Sequence, residues 1–465
     1  MHVPPEIFRE YDIRGIYGHG LTEEAAYFVG RALAAEVSHR KPGARTGAAV
    51  GHDNRPSSPS LADALILGLR EGGVHIADVG EVPTPVLYFA DRELGTDLAV
   101  QITGSHNPPE YNGIKMTVGH FPFFGAAIQT LRRRINKADF GDPPAGRGAL
   151  TSTSVLSRYV EKFGPRARTP APVRMVLDAG NGAGSVVAVE ALEAAGIEVE
   201  GLFCQSDGTF PNHHPDPTVD ENLLHLADRV KERDWALGTA LDGDADRLGA
   251  VTGSGTPVRA DRLMALFARQ TLARHPGATI VFDVKCSSAL ADTITAGGGK
   301  PEMWKTGHAL IRTRMNELGA PLAGEMSGHI FFADWYGFDD GIYAAARLAG
   351  LVAASGRTLE ELVAELPHRP STPELRIPCP EGAGPEIVRD MTAFFSSNYD
   401  VADIDGARIE FGGGWGLIRS SNTQPVVVAR IEADSDARLG EIAAEMDDRL
   451  SRWGVSIGQV MASVT

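Results

Sequence analysis

Three successive stretches of this chain of 465 residues repeat one pattern, in which a short apolar run is followed by an amphipathic helical segment. Strand-like runs that alternate with helical segments are typical of βαβ units, so the pattern predicts mostly parallel sheets. Ligands of such sheets collect at the carboxyl ends of strands, and we therefore expect a functional loop in each stretch. The paired segments are residues 47–51 with 61–69, 173–177 with 186–195, and 279–284 with 290–296.

The C-terminal part of the chain changes to short strands and one helix. A chain of this length is too long for one ordinary core and indicates three or four domains. Serine, threonine, glycine and proline cluster near residues 153, 253 and 369, which predicts domains at 1–153, 154–253, 254–369 and 370–465. In the last domain we expect strands around 408–411, 416–420 and 426–432, and a helix at about 439–450.

Residues 103–108, Thr-Gly-Ser-His-Asn-Pro, form a predicted turn after an apolar run of Leu98, Ala99, Val100 and Ile102. The turn sets Ser105 beside His106, and Lys115 follows as a cation that the chain can bring back to the serine. A serine hydroxyl is a weak nucleophile unless a base removes its proton or it is already modified. Glycine, serine, asparagine and proline are also ordinary turn residues, so this motif alone is equally typical of a plain turn.

Asp242, Asp244 and Asp246 alternate along the chain between two apolar, strand-like runs. In a helix the middle carboxylate would face away from the others, so the spacing favours an extended segment or a loop at a strand end. Clustered anions repel one another unless a cation holds them, and hard oxygen donors suit Mg²⁺. An EF-hand is excluded because its sixth position would be Arg247 instead of glycine. A solvated acidic turn is the alternative.

Two further loops carry groups suited to a phosphorylated sugar. Glu325 and Ser327, in the glycine-flanked segment 324–329, can accept and donate hydrogen bonds to neighbouring sugar hydroxyls. The segment 419–425, Arg-Ser-Ser-Asn-Thr-Gln-Pro, combines the fork of Arg419 with hydroxyls and turn-exposed N–H groups, which suits a phosphate. A glycine-rich surface hairpin is the alternative for this last segment.

In this order and with these spacings, the four loops resemble those of the α-D-phosphohexomutase family, most closely its bacterial phosphomannomutase/phosphoglucomutase branch. The resemblance spans nearly the whole chain and includes residues 8–15, Phe-Arg-Glu-Tyr-Asp-Ile-Arg-Gly, and 207–217, Asp-Gly-Thr-Phe-Pro-Asn-His-His-Pro-Asp-Pro. It implies an α/β fold of four domains around a central cleft. Three domains have mixed, mostly parallel sheets and helices, and a smaller C-terminal domain is α+β.

The resemblance implies a phosphohexomutase that interconverts hexose 1-phosphate and hexose 6-phosphate, with mannose or glucose as the sugar. The phosphoryl carrier would be a phosphoserine at Ser105, and a hexose 1,6-bisphosphate would be the intermediate and activator. Mg²⁺ would be held by Ser105, Asp242, Asp244 and Asp246. We expect Lys115 to be the general acid/base, because neighbouring cations would lower its pKa. His308 is the alternative for proton transfer.

The resemblance also implies a set of site residues in the cleft. The catalytic residues would be Ser105, Lys115, Arg247, Arg14, His106 and His308. The residues that bind substrate would be Tyr11, Lys285, His308, Glu325, Ser327, His329, Arg419, Ser421, Asn422 and Thr423.

A formal net charge of −16 argues against a nucleic-acid partner. It also means that the cleft must gather its own cations to hold a phosphosugar. Three scattered cysteines without paired metal spacing favour a reducing cytoplasm. Charged residues near the N-terminus argue against a signal peptide, and Arg347 interrupts the alanine-rich run 344–354, so we expect no membrane contact. A monomer or weak homodimer is expected.

Several alternatives stay open at this point. Residues 178–184 are similar to a dinucleotide fingerprint but lack its last glycine, which favours a close strand-to-helix turn. A phosphoglucosamine mutase is the enzymatic alternative, although the family's glucosamine type usually has glutamine in place of Met326. A phosphatase with an aspartate nucleophile usually has threonine or valine in place of Asp246. A non-catalytic phosphosugar-binding protein would not need Ser105. The aromatic segment 120–124 fits either local packing or an interface.

Overall fold

A computed structural model describes residues 3–43, 45–141, 146–421, 426–458 and 460. These residues form four β-sheets that follow one another along the chain, each accompanied by helices. Each of the first three sheets has parallel strands that continue into antiparallel strands at one edge, whereas the fourth sheet is antiparallel throughout. The architecture confirms the predicted fold class. Among the described residues, no helix combines the length and the apolar character needed to cross a bilayer.

The first sheet has the strand order β1-β5-β4-β2-β3-β7, with β6 paired to β5. Its central strand β4 is buried along its whole length and is apolar except for Gln101. The elements are β1 (Ile13–Ile16), α1 (Glu23–Arg40), β2 (Gly47–His52), α2 (Ser58–Glu71), β3 (His75–Glu81), α3 (Thr84–Leu94), β4 (Leu98–Ile102), β5 (Tyr111–Val118), β6 (Phe121–Pro122), α4 (Ala126–Lys137) and β7 (Leu150–Ser152).

The second sheet has the order β12-β11-β10-β8-β9, in which β10, β8 and β9 are parallel. Its elements are α5 (Leu156–Ala167), β8 (Val173–Asp178), α6 (Ala188–Ala194), β9 (Ile197–Leu202), α7 (Leu224–Arg233), β10 (Leu237–Leu241), β11 (Leu248–Thr252) and β12 (Pro257–Val258). The sheet runs past the predicted boundary at residue 253, because β12 pairs antiparallel with β11.

The third sheet has the order β14-β13-β15-β16, and the fourth has the order β17-β21-β20-β19-β18. The third contains α8 (Ala260–Arg274), β13 (Thr279–Asp283), α9 (Ser288–Ala296), β14 (Lys300–Trp304), α10 (His308–Leu318), β15 (Leu322–Gly324), β16 (Ile330–Phe332), α11 (Gly341–Ser355) and α12 (Leu359–Ala364). The fourth contains β17 (Leu375–Pro378), α13 (Gly384–Phe395), β18 (Asp400–Ala402), β19 (Ala407–Glu410), β20 (Gly414–Ser420), β21 (Val426–Ala433) and α14 (Asp436–Leu450), close to the expected strands and helix.

The hydrophobic cores show which parts of the chain pack together. The second and third sheets share one continuous core, which also includes residues of α3 from the first domain. Phe89, Tyr159 and Trp335 meet there, with ring centroids 5.4 to 6.2 Å apart. The fourth sheet packs on a core of its own with α13 and α14. A smaller apolar cluster, Val284 with Trp415 and Leu417, joins it to the third domain, so the C-terminal domain shares less apolar packing with the third domain than the second and third domains share with each other.

Candidate active site

Ser105 lies on the loop that follows β4, at the carboxyl end of the first sheet. Its hydroxyl donates to Asp242 Oδ2 over 3.0 Å and lies 3.1 Å from His106 Nδ1, and the residue is 1% exposed. Ser105 has φ of 51°, a conformation that non-glycine residues rarely adopt. Burial and the neighbouring Arg247 hold the pKa of His106 well below its usual range, so this ring is neutral. The loop therefore holds the Ser105 hydroxyl on a strained backbone.

The three aspartates lie on the hairpin between β10 and β11, as their spacing predicted. Asp242 Oδ1 accepts the backbone N–H groups of Asp246 and Arg247, each over 3.1 Å, which curls the loop around that carboxylate. Oxygen atoms of Asp242, Asp244 and Asp246 lie within 4.8 Å of one another. Burial, followed by the charges of Asp246 and Asp244, raises the pKa of Asp242 well above its usual range. The charge of Asp242 is therefore not fully compensated, whereas at Asp244 and Asp246 the charge of Lys115 outweighs burial and lowers the pKa.

This cluster fits a divalent cation that prefers oxygen. Asp244 Oδ1 is buried and has no hydrogen-bond partner among the described residues, so it remains available to a metal. Ser105 Oγ joins the cluster through its contact with Asp242. Carboxylates together with a serine oxygen form the hard donor set that Mg²⁺ prefers.

Lys115 lies against the aspartates, and the prediction of its pKa was wrong. Its Nζ donates to Asp244 Oδ2 over 2.7 Å and to Asp246 Oδ2 over 2.5 Å. Burial alone would lower the pKa of Lys115, but these two carboxylates outweigh it and raise the pKa well above the usual range. The anions nearest to the ammonium, and not the other cations of the cleft, decide its charge in this structure.

Arg247, His329 and Asp339 form a buried chain beside the aspartates. Arg247 Nε donates to His329 Nε2 over 3.0 Å, and His329 Nδ1 lies 2.8 Å from Asp339 Oδ2. Arg247 also lies 3.8 Å from Asp242 Oδ2. The chain connects the loop that carries the three aspartates, residues 242–246, to the loop between β15 and β16 of the third domain; the aspartate loop is called the metal loop below because its donor set fits a metal ion. Asp339 was not among the predicted site residues.

Arg14 approaches the Ser105 loop from β1. Its Nη1 donates to Asn107 Oδ1 over 2.8 Å, and its other nitrogens pair with Asp12. The guanidinium therefore contacts the side chain of Asn107 in the serine loop, and the Arg14 side chain stays partly exposed to solvent. This position suits a cation that attracts a phosphoryl group toward Ser105.

Several residues predicted to recognise the sugar meet between the first and third domains. Glu325 is buried in the turn between β15 and β16, and its Oε1 accepts Gly307 N over 2.5 Å. Tyr11 donates to Thr306 O over 2.8 Å, and its ring lies edge-on to His308. Ser327 is half-buried in the same turn as Glu325. The His308 ring lies 5.2 Å from the His329 ring, so this group adjoins the metal loop.

The residues predicted to bind phosphate adjoin this group through Thr306. Arg419 Nη2 lies 3.1 Å from Asp405 Oδ2, which also accepts Thr306 N over 3.1 Å. Lys285 Nζ donates to Glu374 Oε2 over 3.1 Å. Burial lowers the pKa of Lys285, but Glu374 outweighs it, so the net shift is upward and the ammonium keeps its charge. Ser421 continues from β20, whereas Asn422 and Thr423 lie outside the described residues.

Two of the open sequence questions have structural answers. The glycine-rich turn 178–184 packs against the metal loop, because a Cβ at Gly182 would lie 2.7 Å from Gly243 O. This close packing explains why a glycine stands at position 182, in a strand-to-helix turn. In the aromatic segment, Phe123 is buried in the first core, and His120 O accepts Arg312 Nη2 over 3.0 Å. Local packing thus accounts for that part of segment 120–124, while Phe121 is exposed.

Comparison with known proteins gives a consistent result over the whole chain. Family models described as "Phosphoglucomutase/phosphomannomutase" match it in order: alpha/beta/alpha domain I over residues 5–142, domain II over 157–255, domain III over 259–369 and the C-terminal domain over 374–449. The chain is 44% identical to a phosphomannomutase/phosphoglucomutase of Pseudomonas aeruginosa, with 96% of each chain covered. It is also 44% identical to a phosphoglucomutase of Neisseria gonorrhoeae, with 94% of this chain and 95% of that one covered.

A solved structure is similar over nearly the same length. The crystal structure of a phosphoglucomutase/phosphomannomutase family protein from Burkholderia thailandensis matches with a TM-score of 0.90 and 42% identity. The match covers 97% of this chain and 98% of that one. The four-domain arrangement described above is therefore shared with that protein.

Proposed function

Because the chain belongs to the phosphoglucomutase/phosphomannomutase family, we propose that it is a phosphohexomutase that interconverts hexose 1-phosphate and hexose 6-phosphate. The observation that carries the proposal is the buried contact of 3.0 Å between Ser105 Oγ and Asp242 Oδ2. It joins a hydroxyl on a strained loop to a cluster of metal-binding carboxylates. A binding protein without catalysis would need neither group.

The first half of the reaction transfers a phosphoryl group from phosphorylated Ser105 to the free hydroxyl of a hexose monophosphate. Bound Mg²⁺ would supply charge neutralisation on the transferred group, held by Ser105, Asp242, Asp244 and Asp246. Arg247 and Arg14 lie beside this point and provide fixed positive charge, which stabilises the charge spread over the phosphoryl oxygens.

A proton must leave the sugar hydroxyl as it attacks. Lys115 is the residue we propose for this role, because it is the buried amine closest to the aspartates. In this structure its ammonium is held by Asp244 and Asp246, so it can accept a proton only after these carboxylates take another partner. His308 is the alternative, since burial lowers the pKa of His308 to about 4 and leaves the ring neutral.

The hexose 1,6-bisphosphate then turns end for end before its other phosphate returns to Ser105. Glu325 and Ser327 would bind hydroxyls that look alike in both orientations. Arg419, Ser421 and Lys285 would bind the phosphate that is not reacting, and we propose that Asn422 and Thr423 complete this group. A phosphate-binding site separate from the metal loop is needed because both ends of the sugar must be held at once.

The proposal includes the partners that this chemistry needs. These are Mg²⁺, a phosphorylated hexose and a hexose 1,6-bisphosphate as activator. We also propose a cytoplasmic location and a monomer or weak homodimer.

A coupled assay tests the function directly. The purified chain is given mannose, glucose or glucosamine 1-phosphate with Mg²⁺ and a trace of the matching bisphosphate, and formation of the 6-phosphate is followed. We expect turnover of mannose 1-phosphate, glucose 1-phosphate or both. Turnover of glucosamine 1-phosphate alone would assign the chain to the glucosamine alternative, and turnover of none would contradict the proposal.

A further inference from the structure

We propose that Arg55 is a positioning residue for phosphoryl transfer, and that residues 207–217 of the second domain seal it in place. This inference rests on the proposed function, because it concerns the loop that carries Ser105. Arg55 touches neither the reacting hydroxyl nor the metal-binding carboxylates. Its role is to hold the backbone on which Ser105 is mounted.

The guanidinium of Arg55 is fully buried and uses all five of its N–H groups. Nε donates to Asp53 Oδ2 over 3.1 Å. The other four go to backbone carbonyls of the serine loop and of the chain that returns from it, at 2.6 to 3.1 Å: Ser105, Asn107, Pro108 and Tyr111. No other side chain type offers five donors in one rigid plane, so this arrangement is specific to arginine.

The loop needs such a clamp because its backbone is strained. Ser105 has φ of 51°, a conformation that costs free energy and persists only when the surroundings impose it. Gly104 lets the loop approach the guanidinium, since a Cβ there would lie 2.5 Å from Arg55 Cζ. Asp53 Oδ2, which holds Arg55, also accepts Gly104 N over 3.0 Å. Arg55 and Asp53 together therefore fix the loop from behind.

The second domain covers this clamp with a segment for which the reaction otherwise gives no role. Phe210 lies over Arg55, with Cζ 5.0 Å from the ring centroid. At Gly208 a Cβ would collide with Asn54 O and lie 2.5 Å from Arg55 Cα. Asn54 Nδ2 donates to Asn181 O over 2.6 Å and to Ser206 Oγ over 2.9 Å. The seal thus joins the same short segment of the first domain to the second.

Arg55 and the segment 207–217 that covers it set the distance between Ser105 and the metal loop. Ser105 O accepts Arg55 Nη2 over 2.7 Å, and a Cβ at Gly243 in the metal loop would collide with this same carbonyl. The serine carbonyl is therefore held between Arg55 and the metal loop. A loop released from Arg55 would change the position of Ser105 relative to Asp242, while the sugar and phosphate sites would remain intact.

The first test replaces Arg55 with lysine, which keeps the charge but cannot reach four carbonyls. A misplacement of about 1 Å costs about 100-fold in rate. For Arg55→Lys we therefore expect kcat to fall by about 100-fold with less than about a threefold change in the KM of hexose 1-phosphate. Phosphorylation of Ser105 by hexose 1,6-bisphosphate, read by intact mass, should slow by the same factor. An unchanged kcat, or a rise in KM alone, would overturn the proposal.

A second variant keeps Arg55 and disturbs only its seal. Gly208→Ala places a methyl group against Asn54 and Arg55, whereas at Gly350, in α11, no described atom lies within 4 Å of the added Cβ. We expect Gly208→Ala to lower kcat without changing KM, and Gly350→Ala to match the wild type. Equal activity of the two variants would overturn the proposed role of segment 207–217 in holding Arg55. Thermal unfolding of both verifies that the chains are folded.

Hydrogen exchange tests the clamp without any assay of activity. Arg55→Lys should raise the exchange of amides 104–111 and leave those of the C-terminal domain unchanged. Unchanged exchange of 104–111 would overturn the clamp even if the wild type had no mutase activity. A wild type that turns over no hexose phosphate, with exchange altered as expected, would instead contradict the proposed function alone.

Discussion

His329 Nδ1 lies 2.8 Å from Asp339 Oδ2, and both residues are buried. The other ring nitrogen accepts Arg247 Nε, which can only donate, so a proton on the ring must lie on Nδ1 beside the carboxylate. Burial favours the neutral acid of Asp339, but His329 outweighs it, and the pKa of Asp339 lies well below its usual range. Asp339 therefore fixes the orientation in which His329 holds Arg247.

Asp339→Asn should lower kcat by about 10- to 100-fold with little change in KM, because an amide can present N–H to His329 Nδ1 and reverse the polarity of the ring. Steady-state kinetics with hexose 1-phosphate measures the effect. Asp340→Asn is the matched control, since Asp340 caps α11 and accepts Tyr159 and Trp335 without touching His329. The control should lose thermal stability and keep kcat. Equal kcat in Asp339→Asn and wild type would contradict the positioning role.

Asp244→Asn should raise the Mg²⁺ concentration for half-maximal activity by about 10- to 100-fold, because it removes one charged oxygen ligand. Chelation should abolish the activity of the wild type, and Mg²⁺ should restore it. Thr84→Val is the matched variant: it removes the hydroxyl that donates to Asp244 Oδ2 over 2.5 Å but keeps the charge. It should give a smaller shift. Full activity of the wild type in excess chelator would refute the metal assignment.

His308 should make the fold less stable in acid. Burial, with smaller contributions from His329 and Lys115, lowers the pKa of His308 from 6.5 to about 4 in the folded chain. The unfolded chain therefore binds the proton more tightly, so this contribution to stability is present above pH 6.5 and is lost as the pH falls toward 4. Because the ring is partly exposed, we expect a loss of about 1 kcal/mol at pH 5.

Thermal unfolding of His308→Gln at pH 7 and pH 5 measures this contribution. The midpoint should fall less between the two pH values than in the wild type. His275→Gln, at an exposed histidine, is the matched control and should behave as the wild type. An equal fall in His308→Gln and wild type would show that the neutral ring is not favoured by the fold.

Hexose 1-phosphate should close the C-terminal domain onto the cleft. That domain has its own core, and we expect the movement to occur near residues 367–373, at the predicted domain boundary. Arg419→Ala should remove the closure and raise KM by roughly 10- to 100-fold, the worth of a charge-assisted hydrogen bond to phosphate. Small-angle scattering at saturating substrate measures it, with Arg438→Ala on α14 as a charge-matched control. A wild type whose radius of gyration does not change would contradict this prediction.

The fold and the loops were predictable because their signals are local. The spacing of Asp242, Asp244 and Asp246 excludes a helix, and their loop is found where a buried strand ends. The run before Ser105 likewise became the central strand β4. Patterns of this kind depend only on residues that are close in sequence. They can therefore be recognised before the tertiary structure is known.

The remaining parts of the site depend on contacts between distant residues. Lys115 and Asp246 are 131 positions apart, so the ion pair that raises the pKa of Lys115 was not visible in the sequence. Asp339 and Asp340 are adjacent and identical, and only the fold directs one to His329 and the other to the start of α11. The sequence does not distinguish Arg55 from the other arginines, because only the fold brings its carbonyl partners around it.

The most direct test of the whole account is to map phosphate on the protein by mass spectrometry. After incubation with hexose 1,6-bisphosphate and Mg²⁺, the peptide that contains Ser105 should carry a phosphoryl group. Addition of excess hexose 1-phosphate should remove it at a rate no slower than turnover, and Ser105→Ala should neither be labelled nor turn over substrate. A wild type that is fully active while Ser105 remains unphosphorylated, or an active Ser105→Ala, would contradict the phosphoserine mechanism.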